Sequence, residues 1–291
     1  MKQPDFTIIT PSFGQLDHLA CCIASVADQG GVEVEHIVQD GGTKGFADFA
    51  KQMAQQWPNR NGYQRIMVSE QDGGMYDAIN RGLKRAKGKV CAYLNCDEQY
   101  LPGVLSMIWA AFQNNPSVEV VLGDVIIVGT DGEAVCHRKM VKPGLAHTWT
   151  CHFSALTAGI FFREKLVSEG LLFDTSYRAA SDAEWFVRVL QSGNKVQPLR
   201  KTISTFMESG ENLGLSLTAK EERARLDASA PLYFKVLRPV WVLVHRVRRL
   251  WSGAHRSEDV TYEIYLPKES GRKAFTAKRL RTTWPRRIFN F

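Results

Sequence analysis

The chain has 291 residues, of which 44% are hydrophobic and 23% charged, and it carries a formal net charge of +7 at pH 7. This composition is that of an ordinary globular protein and excludes a disordered or fibrous chain, while the length suffices for one large domain or for one domain with an appendage. No apolar stretch has the length of a clean transmembrane helix, and the polar N-terminus does not have the pattern of a signal peptide.

The positive charge is unevenly distributed along the chain. Residues 232–291 contain 14 Lys and Arg against 4 Asp and Glu, whereas the first 231 residues contain 23 against 26. The basicity therefore belongs to the C-terminal segment. Such a segment suggests a partner that bears phosphate, either anionic lipid or nucleic acid.

The six cysteines, at positions 21, 22, 91, 96, 136 and 151, include no CxxC pair. This spacing indicates neither a zinc site nor a disulfide framework. We therefore expect reduced cysteines in a cytoplasmic protein.

Strand and helix patterns alternate along the first 115 residues. Apolar or β-branched runs predict four strands, at residues 6–9, 34–38, 66–68 and 90–94. Helical spacing of apolar residues predicts a helix after each strand, at residues 16–27, 46–57, 75–86 and 102–115. This alternation predicts an α/β fold with a mostly parallel sheet and right-handed crossovers.

The pattern changes in the second half of the chain. Short strands are predicted at residues 118–122, 125–128, 134–138 and 158–162, and a helix at residues 182–190. Thr130-Asp131-Gly132 predicts a hairpin between two of these strands. We expect this half to extend the same sheet and to supply the acceptor side of a site.

The predicted strand at residues 90–94 ends in two adjacent carboxylates, Asp97 and Glu98. In open α/β sheets, ligands bind at the carboxyl ends of the strands, and adjacent acids there are costly unless a cation or hydrogen bonds offset their repulsion. A divalent cation that carries a diphosphate would do so, since Mg²⁺ and Mn²⁺ prefer oxygen ligands. A solvated acidic loop is the alternative.

Seven motifs along residues 6–215 resemble those of one known family in their order and spacing. They are ITPSF at residues 9–13, VQDGG at 38–42, SEQDGGMYDAINRG at 69–82, LNCDE at 94–98, GD at 123–124, FFR at 161–163 and SDAEW at 181–185. This family is the inverting glycosyltransferases of family 2, which have the GT-A fold. The resemblance is greatest to enzymes of bacterial exopolysaccharide and lipopolysaccharide assembly.

The resemblance implies roles for individual residues. The donor nucleotide would be bound by Thr10, Ser12, Asp40, Asp72, Asn80 and Asn95. Asp97 and, less securely, Glu98 would hold Mn²⁺ or Mg²⁺. Asp40 could instead close an Asx turn, since Asp followed by two glycines favours one.

Asp182 aligns with the catalytic base of the family. Inversion is a single displacement by an acceptor hydroxyl, and a carboxylate is needed to take its proton. Glu184 is a rival, but the two acids point in different directions on a helix, so only one faces the acceptor. Asp182 could instead cap the helix. His152 and Glu184 are further candidates for the acceptor side, although a lone histidine is more often structural.

Residues 232–251 are apolar and aromatic with interspersed arginines, and Pro239 is expected to interrupt any single helix. This pattern fits an interfacial segment on anionic lipid, which would make the protein peripheral at the cytoplasmic face of the inner membrane. A helix packed on the catalytic domain, with its arginines directed outward, fits equally well. We expect a GT-A domain at residues 1–231 and a basic, partly amphipathic extension at residues 232–291.

The leading hypothesis is therefore metal-assisted transfer of a sugar from a nucleotide-sugar donor to a saccharide or lipid-linked acceptor, in bacterial surface polysaccharide biosynthesis. A nucleotidyltransferase is one alternative, but residues 10–14 contain no Lys or Arg to hold a triphosphate. A non-catalytic nucleotide-sugar-binding scaffold is another. No nucleic-acid partner is expected, because no helix-turn-helix, zinc or aromatic-basic RNA motif occurs.

Overall fold

The computed structural model describes residues 3–208 and 216–284. Within these ranges the strands are β1 Phe6–Ser12, β2 Val34–Asp40, β3 Tyr63–Ser69, β4 Val90–Tyr93, β5 Glu98–Tyr100, β6 Val120–Val128, β7 Ala134–Arg138, β8 Ile160–Arg163, β9 Val196–Met207, β10 Glu258–Tyr265 and β11 Arg272–Leu280. The helices are α1 Leu16–Ala27, α2 Phe46–Gln56, α3 Met75–Arg85, α4 Val104–Asn114, α5 Leu145–Thr150, α6 Lys165–Ser168, α7 Ser181–Gln191, α8 Leu217–Ala228, α9 Leu232–Val236 and α10 Arg238–Trp251. None of these helices is both long enough and apolar enough to span a lipid bilayer.

One sheet organises the chain, in the order β3-β2-β1-β4-β8-β6-β9-β5, with β7 paired to β6. Strands β3, β2, β1 and β4 are parallel neighbours, and β6 and β9 form a second parallel pair. The antiparallel pairs involve β5, β7 and β8. The predicted α/β fold with a mostly parallel sheet flanked by helices is thus confirmed.

The two strands predicted at residues 118–122 and 125–128 are one continuous strand, β6. Gly123 lies in its middle, where a Cβ would be only 2.2 Å from Ile203 Cδ1 of β9. The glycine therefore lets the neighbouring strand pack closely and does not end the strand. Asp124, which follows it, is buried and accepts a hydrogen bond from Met140 N at 2.6 Å.

The C-terminal segment contains two helices and a hairpin. Pro239 lies in the first turn of α10, and α9 ends just before it. The predicted interruption of a single helix is thus confirmed. Strands β10 and β11 pair with each other, and Tyr262, Ile264 and Phe275 from them belong to the main hydrophobic core. The division at residue 231 remains a prediction, but the hairpin packs against the first half of the chain.

Arg272 anchors this hairpin to the N-terminal half. Its guanidinium donates hydrogen bonds to both carboxylate oxygens of Asp28, at 2.6 and 2.9 Å, and to Tyr100 O at 3.0 Å. The Arg272 side chain is only 8% exposed. The Gln99 side chain adds a second tie, since it donates to Tyr265 O and accepts from Tyr265 N. The hairpin is therefore held by polar contacts as well as by packing.

We expect Arg272→Met to lower the free energy of unfolding by about 3 kcal/mol, because breaking a buried ion pair strands its partner charge. Urea denaturation measures this change. The matched control is Lys278→Met on the same strand, whose side chain is exposed, and it should stay within about 0.5 kcal/mol of the wild type. Equal unfolding midpoints for the two variants would contradict the anchoring role.

Candidate active site

The parallel strands end at one edge of the sheet and deliver polar residues there. The register pairs Ser12 with Asp40 and Asp40 with Ser69. Leu94 N donates to Ile9 O at 2.9 Å, so the loop after β4 begins beside β1. Loops from four strands therefore meet at this edge, as the alternation of strands and helices predicts.

Asp40 organises two of these loops. It is fully buried, and its carboxylate accepts from Gly42 N at 3.0 Å, Thr43 N at 2.7 Å, Thr43 Oγ1 at 2.6 Å and Ser69 Oγ at 2.7 Å. Thr43 Oγ1 in turn accepts from Gly14 N at 2.8 Å. Asp40 therefore closes an Asx turn and links the ends of β1, β2 and β3. Its contact with the donor nucleotide remains a prediction.

Asp72 lies in the loop before α3, where it accepts from Gly74 N at 2.8 Å. A Cβ on Gly41 would come within 3.1 Å of Asp72 Oδ2. The glycine thus allows the loops after β2 and β3 to come close together. Asp72 lies beside the Asp40 loop, and its contact with the donor nucleotide remains a prediction.

Two other residues predicted to bind the donor make hydrogen bonds within the protein. Thr10 is fully buried, and its hydroxyl pairs with His36 Nε2 at 2.9 Å. The Asn80 amide donates to Phe173 O at 2.8 Å and accepts from Phe173 N at 3.0 Å. These contacts favour a structural role for both side chains over the predicted donor contact, because their polar groups are already occupied.

Ser12 and Asn95, by contrast, have unused polar atoms at the same edge. Ser12 Oγ and Asn95 Oδ1 are buried and have no hydrogen-bond partner in the described parts of the chain. A buried polar atom without a partner is costly and calls for a ligand, an ion or water. These two atoms are therefore the best-placed of the predicted donor-site groups.

The adjacent acids after β4 differ in their surroundings. Glu98 is fully buried at the start of β5 and accepts from Asn95 N at 2.9 Å, Asn95 Nδ2 at 3.1 Å and Thr157 Oγ1 at 3.3 Å. Burial, together with the neighbouring charge of Asp97, raises the pKa of Glu98 to about 8. Glu98 therefore shapes the loop from inside, and its contacts do not support the prediction that it binds metal.

Asp97 is partly exposed, and its side chain accepts no hydrogen bond from another residue within residues 3–208 and 216–284. Burial raises the pKa of Asp97, and the nearby His18 on α1 partly offsets this effect. Asp97 and the unpartnered Asn95 Oδ1 offer oxygen ligands of the kind that Mg²⁺ and Mn²⁺ prefer. The residues present thus fit the divalent cation that the sequence predicts.

Asp182 lies in the first turn of α7, but it is not the cap of that helix. The capping residue is Ala180, which makes no side-chain capping bond. Asp182 Oδ1 accepts from Ala183 N at 2.8 Å and from the Tyr76 hydroxyl at 3.3 Å. Burial raises the pKa of Asp182 to about 6, although these two hydrogen bonds lower it.

The rival acid, Glu184, is already paired. Its two carboxylate oxygens accept from Arg188 Nε at 2.7 Å and Nη2 at 2.8 Å, and Arg188 also donates to Leu172 O. A bidentate pair of this kind occupies both oxygens of the carboxylate. Asp182 is therefore the better candidate for a base. His152 lies beside His147 and His245.

Sequence reasoning missed Glu222 on α8. Its carboxylate accepts hydrogen bonds from the backbone N–H groups of Arg178, Ala179 and Ala180, which precede α7. Glu222 is only 8% exposed. Its sequence, a Glu-Glu pair on a polar helix, gives no signal of this role. The structure shows that Glu222 accepts hydrogen bonds from the backbone N–H groups just before α7, the helix that carries Asp182.

Comparison with known proteins identifies related sequences. The family model described as Glycosyl transferase family 2 matches residues 7–168. A protein of Mycobacterium tuberculosis named PGL/p-HBAD biosynthesis glycosyltransferase is 28% identical over 261 residues, which are 87% of this chain and 95% of the relative. Glycosyltransferase AglE of Haloferax volcanii is 22% identical over 199 residues, or 65% of this chain and 62% of the relative.

Solved structures share the fold. TarS 1-349 of S. aureus, in complex with UDP-GlcNAc, has a TM-score of 0.60 at 18% identity over 85% of this chain and 73% of that one. Mannosyltransferase PcManGT of Pyrobaculum calidifontis, in complex with GDP-Man and Mn²⁺, has a TM-score of 0.57 at 15% identity over 87% of this chain and 76% of that one. These similarities confirm the predicted GT-A fold.

We expect Glu222→Gln to lower the free energy of unfolding by about 1.5–3 kcal/mol, the value of a hydrogen bond to a charged group, because the new amide group would face backbone donors. Thermal and urea unfolding measure this loss. Glu221→Gln is the matched control, since the neighbouring side chain is exposed. A Glu222→Gln variant as stable as this control would show that the three backbone contacts add nothing.

Proposed function

The chain belongs to glycosyltransferase family 2, and we propose that it transfers a sugar with inversion, and with assistance from a divalent metal, from a nucleotide-sugar donor to a saccharide or lipid-linked acceptor. The observation that carries this proposal is the hydrogen bond from Tyr76 to Asp182. Tyr76 begins the helix that follows the Asp72 loop, so this contact brings the candidate base to the donor edge of the sheet.

Asp182 suits the proton transfer. With its pKa raised to about 6, the carboxylate is ionised at neutral pH and basic enough to accept the proton of an acceptor hydroxyl. Tyr76 and Ala183 N hold one carboxylate oxygen, which leaves the other to face the acceptor. The acceptor oxygen then attacks the anomeric carbon as the bond to the nucleoside diphosphate breaks.

The loop after β4 suits the leaving group. Asp97 and Asn95 Oδ1 would hold Mn²⁺ or Mg²⁺, and the bound cation would neutralise the charge that develops on the diphosphate. Glu98 holds the Asn95 backbone and side chain in place for this purpose. The UDP-GlcNAc bound to TarS and the Mn²⁺ bound to PcManGT, which share the fold, support a nucleotide-sugar donor and a divalent metal.

A thermal-shift screen of nucleoside diphosphates with and without Mn²⁺ tests this function, since a ligand of the native state raises the melting temperature. We expect one nucleoside diphosphate to stabilise the wild type only when Mn²⁺ is present. Asp182→Asn should keep this stabilisation and lose about 10²- to 10⁴-fold in transfer rate, the usual contribution of a general base. Asp97→Asn should lose the stabilisation itself.

The pH dependence separates a base from a structural residue. Because the carboxyl accepts a proton only when ionised, the wild-type rate should fall as the pH drops below about 6. Loss of donor binding in Asp182→Asn would give Asp182 a structural role. Absence of any nucleotide response from the wild type with Mn²⁺ would contradict the donor site and the role given to Asp97.

The surface of α9 and α10 supports a lipid-linked acceptor. Large apolar side chains on it are exposed: Leu232, Tyr233, Val236, Leu237, Val240, Leu243, Val244, Leu250 and Trp251, the last by 87%. Arg246 and Arg248 lie exposed among them. An apolar face edged by arginines fits the interface of an anionic bilayer. We propose a peripheral, cytoplasmic enzyme of bacterial surface polysaccharide or glycolipid synthesis, a role that the name of the mycobacterial relative also supports.

Point substitutions test the membrane contact better than truncation, because removing the C-terminal segment would also remove the core hairpin. We expect Leu243→Gln combined with Trp251→Gln to weaken binding to anionic vesicles at least tenfold, since each buried apolar side chain contributes about 1.5–3 kcal/mol. Vesicle co-sedimentation measures this binding. Ile66→Gln, an exposed apolar residue on β3, is the control. Equal binding by all three proteins would reject this surface.

A further inference from the structure

Three histidines meet beneath α10. They are His147 on α5, His152 just after that helix and His245 on α10, and their ring nitrogens lie within 4.8 Å of one another. The rings of His147 and His245 stack at 4.1 Å with an interplanar angle of 11°, and His152 packs edge-on at 4.5 Å from His147. This arrangement joins the C-terminal segment to the half of the chain that carries Asp182.

The cluster has unused hydrogen-bonding capacity. In the described parts of the chain, His147 Nδ1 is buried without a partner, as are Arg138 Nε and Arg223 Nη1 nearby. A cavity of about 150 Å³ opens beside the rings and is lined by His147, His245 and Arg248 among others. It is far larger than the share of about 30 Å³ that one water molecule takes. His147, whose Nδ1 has no partner, thus lines a space that can hold a ligand, and two unpartnered guanidinium nitrogens lie near the same histidines.

Three arginines act on the histidines, and one of them, Arg223, also lies near the carboxylates of Asp182 and Asp227. Burial, followed by the positive groups Arg138, Arg223 and Arg249, lowers the pKa of His152 to about 4. Burial likewise lowers the pKa of Arg138 and of Arg249. Neither of these two arginines makes an ion pair with a carboxylate within residues 3–208 and 216–284. Both arginines are partly buried, and charge that is withdrawn from water without an ion-pair partner is costly, so a bound anion would stabilise them.

The same observations argue against a metal ion held by the three histidines. A metal lies in the plane of each imidazole that binds it, along the nitrogen lone pair. The parallel stacking of His147 on His245 prevents their two lone pairs from converging on one ion without ring rotation. The arginine charges would in addition repel a dication. The pocket therefore suits a negative ligand better than a positive one.

We propose that the three histidines with Arg138, Arg223 and Arg249, together with the adjoining cavity lined by His147, His245 and Arg248, form a pocket that binds a phosphate or diphosphate ester group. Resting on the proposed function, this inference gives the acceptor a phosphate group. Two neighbours support it: Arg223 also acts electrostatically on Asp182, and His245 belongs to the same helix as the exposed apolar surface. An acceptor phosphate in the pocket lies between the base and the lipid surface, and guanidinium groups bind it through charge-assisted hydrogen bonds.

Pyrophosphate in the presence of EDTA is the first probe, because removing divalent cations keeps it from a metal-dependent donor site. We expect it to raise the melting temperature of the full chain. Arg138→Met should weaken this binding at least tenfold, the effect of losing about 1.4 kcal/mol. The same variant without ligand should be as stable as the wild type or more so, because it loses an uncompensated charge; a merely structural arginine would instead leave the variant less stable.

The matched control is Arg246→Met on α10, whose side chain is exposed. It should keep the full pyrophosphate response. An equal response in Arg138→Met, or none in the wild type, would overturn the pocket. One equivalent of Zn²⁺ bound by the wild type and lost in His245→Asn would reassign the cluster to a metal centre and overturn it too.

Two further experiments are needed. One distinguishes a lipid phosphate from a free anion as the ligand, and the other distinguishes failure of the pocket from failure of the proposed function. A polyprenyl phosphate in detergent that binds more tightly than both pyrophosphate and the uncharged polyprenol identifies a lipid phosphate, whereas equal binding of pyrophosphate and the lipid identifies the free anion. Metal-dependent stabilisation by a nucleoside diphosphate should be unchanged in Arg138→Met. If the nucleoside diphosphate stabilises the protein but pyrophosphate does not raise its melting temperature, the proposed phosphate pocket is rejected and the glycosyltransferase proposal stands.

Discussion

The candidate site depends on buried carboxylates that accept hydrogen bonds from backbone N–H groups. Asp40 holds the loop after β2, Glu98 holds the Asn95 loop and Glu222 holds the turn before α7. These hydrogen bonds offset part of the cost of burying each carboxylate, and at the same time they fix a loop that a ligand must approach. Asp97 and Asp182 remain accessible. They are free to bind metal or to accept a proton, because the buried carboxylates hold the loops of the site in place.

Local patterns predicted the first half of the fold and the position of the site. The strands and helices up to residue 115 follow hydrophobic periodicity, and their carboxyl ends carry the polar motifs. β5 escaped notice because it has three residues, and β9 because charged residues and a positive φ at Arg200 interrupt its alternation. Sequence adjacency also could not show that Glu98 turns inward while Asp97 stays accessible.

The roles of side chains in long-range contacts were beyond any local pattern. Thr10 and Asn80 occur in motifs shared with the family, yet their polar groups hold His36 and the Phe173 backbone. Glu222 and the histidine cluster join segments far apart in the chain, and no spacing rule reveals such pairs. The resemblance predicted which residues form the candidate site, whereas the contacts that each of them makes required the three-dimensional structure.

The tie between Arg272 and Asp28 spans 244 positions in the sequence. The helix α1, whose C-terminal end it secures, is synthesised well before β11, so this contact forms only after the residues between them have left the ribosome. Closing so long a loop is entropically costly and slows folding. The nascent N-terminal half must therefore persist with an uncovered face, where chaperones and proteases act on it, until the last strand arrives.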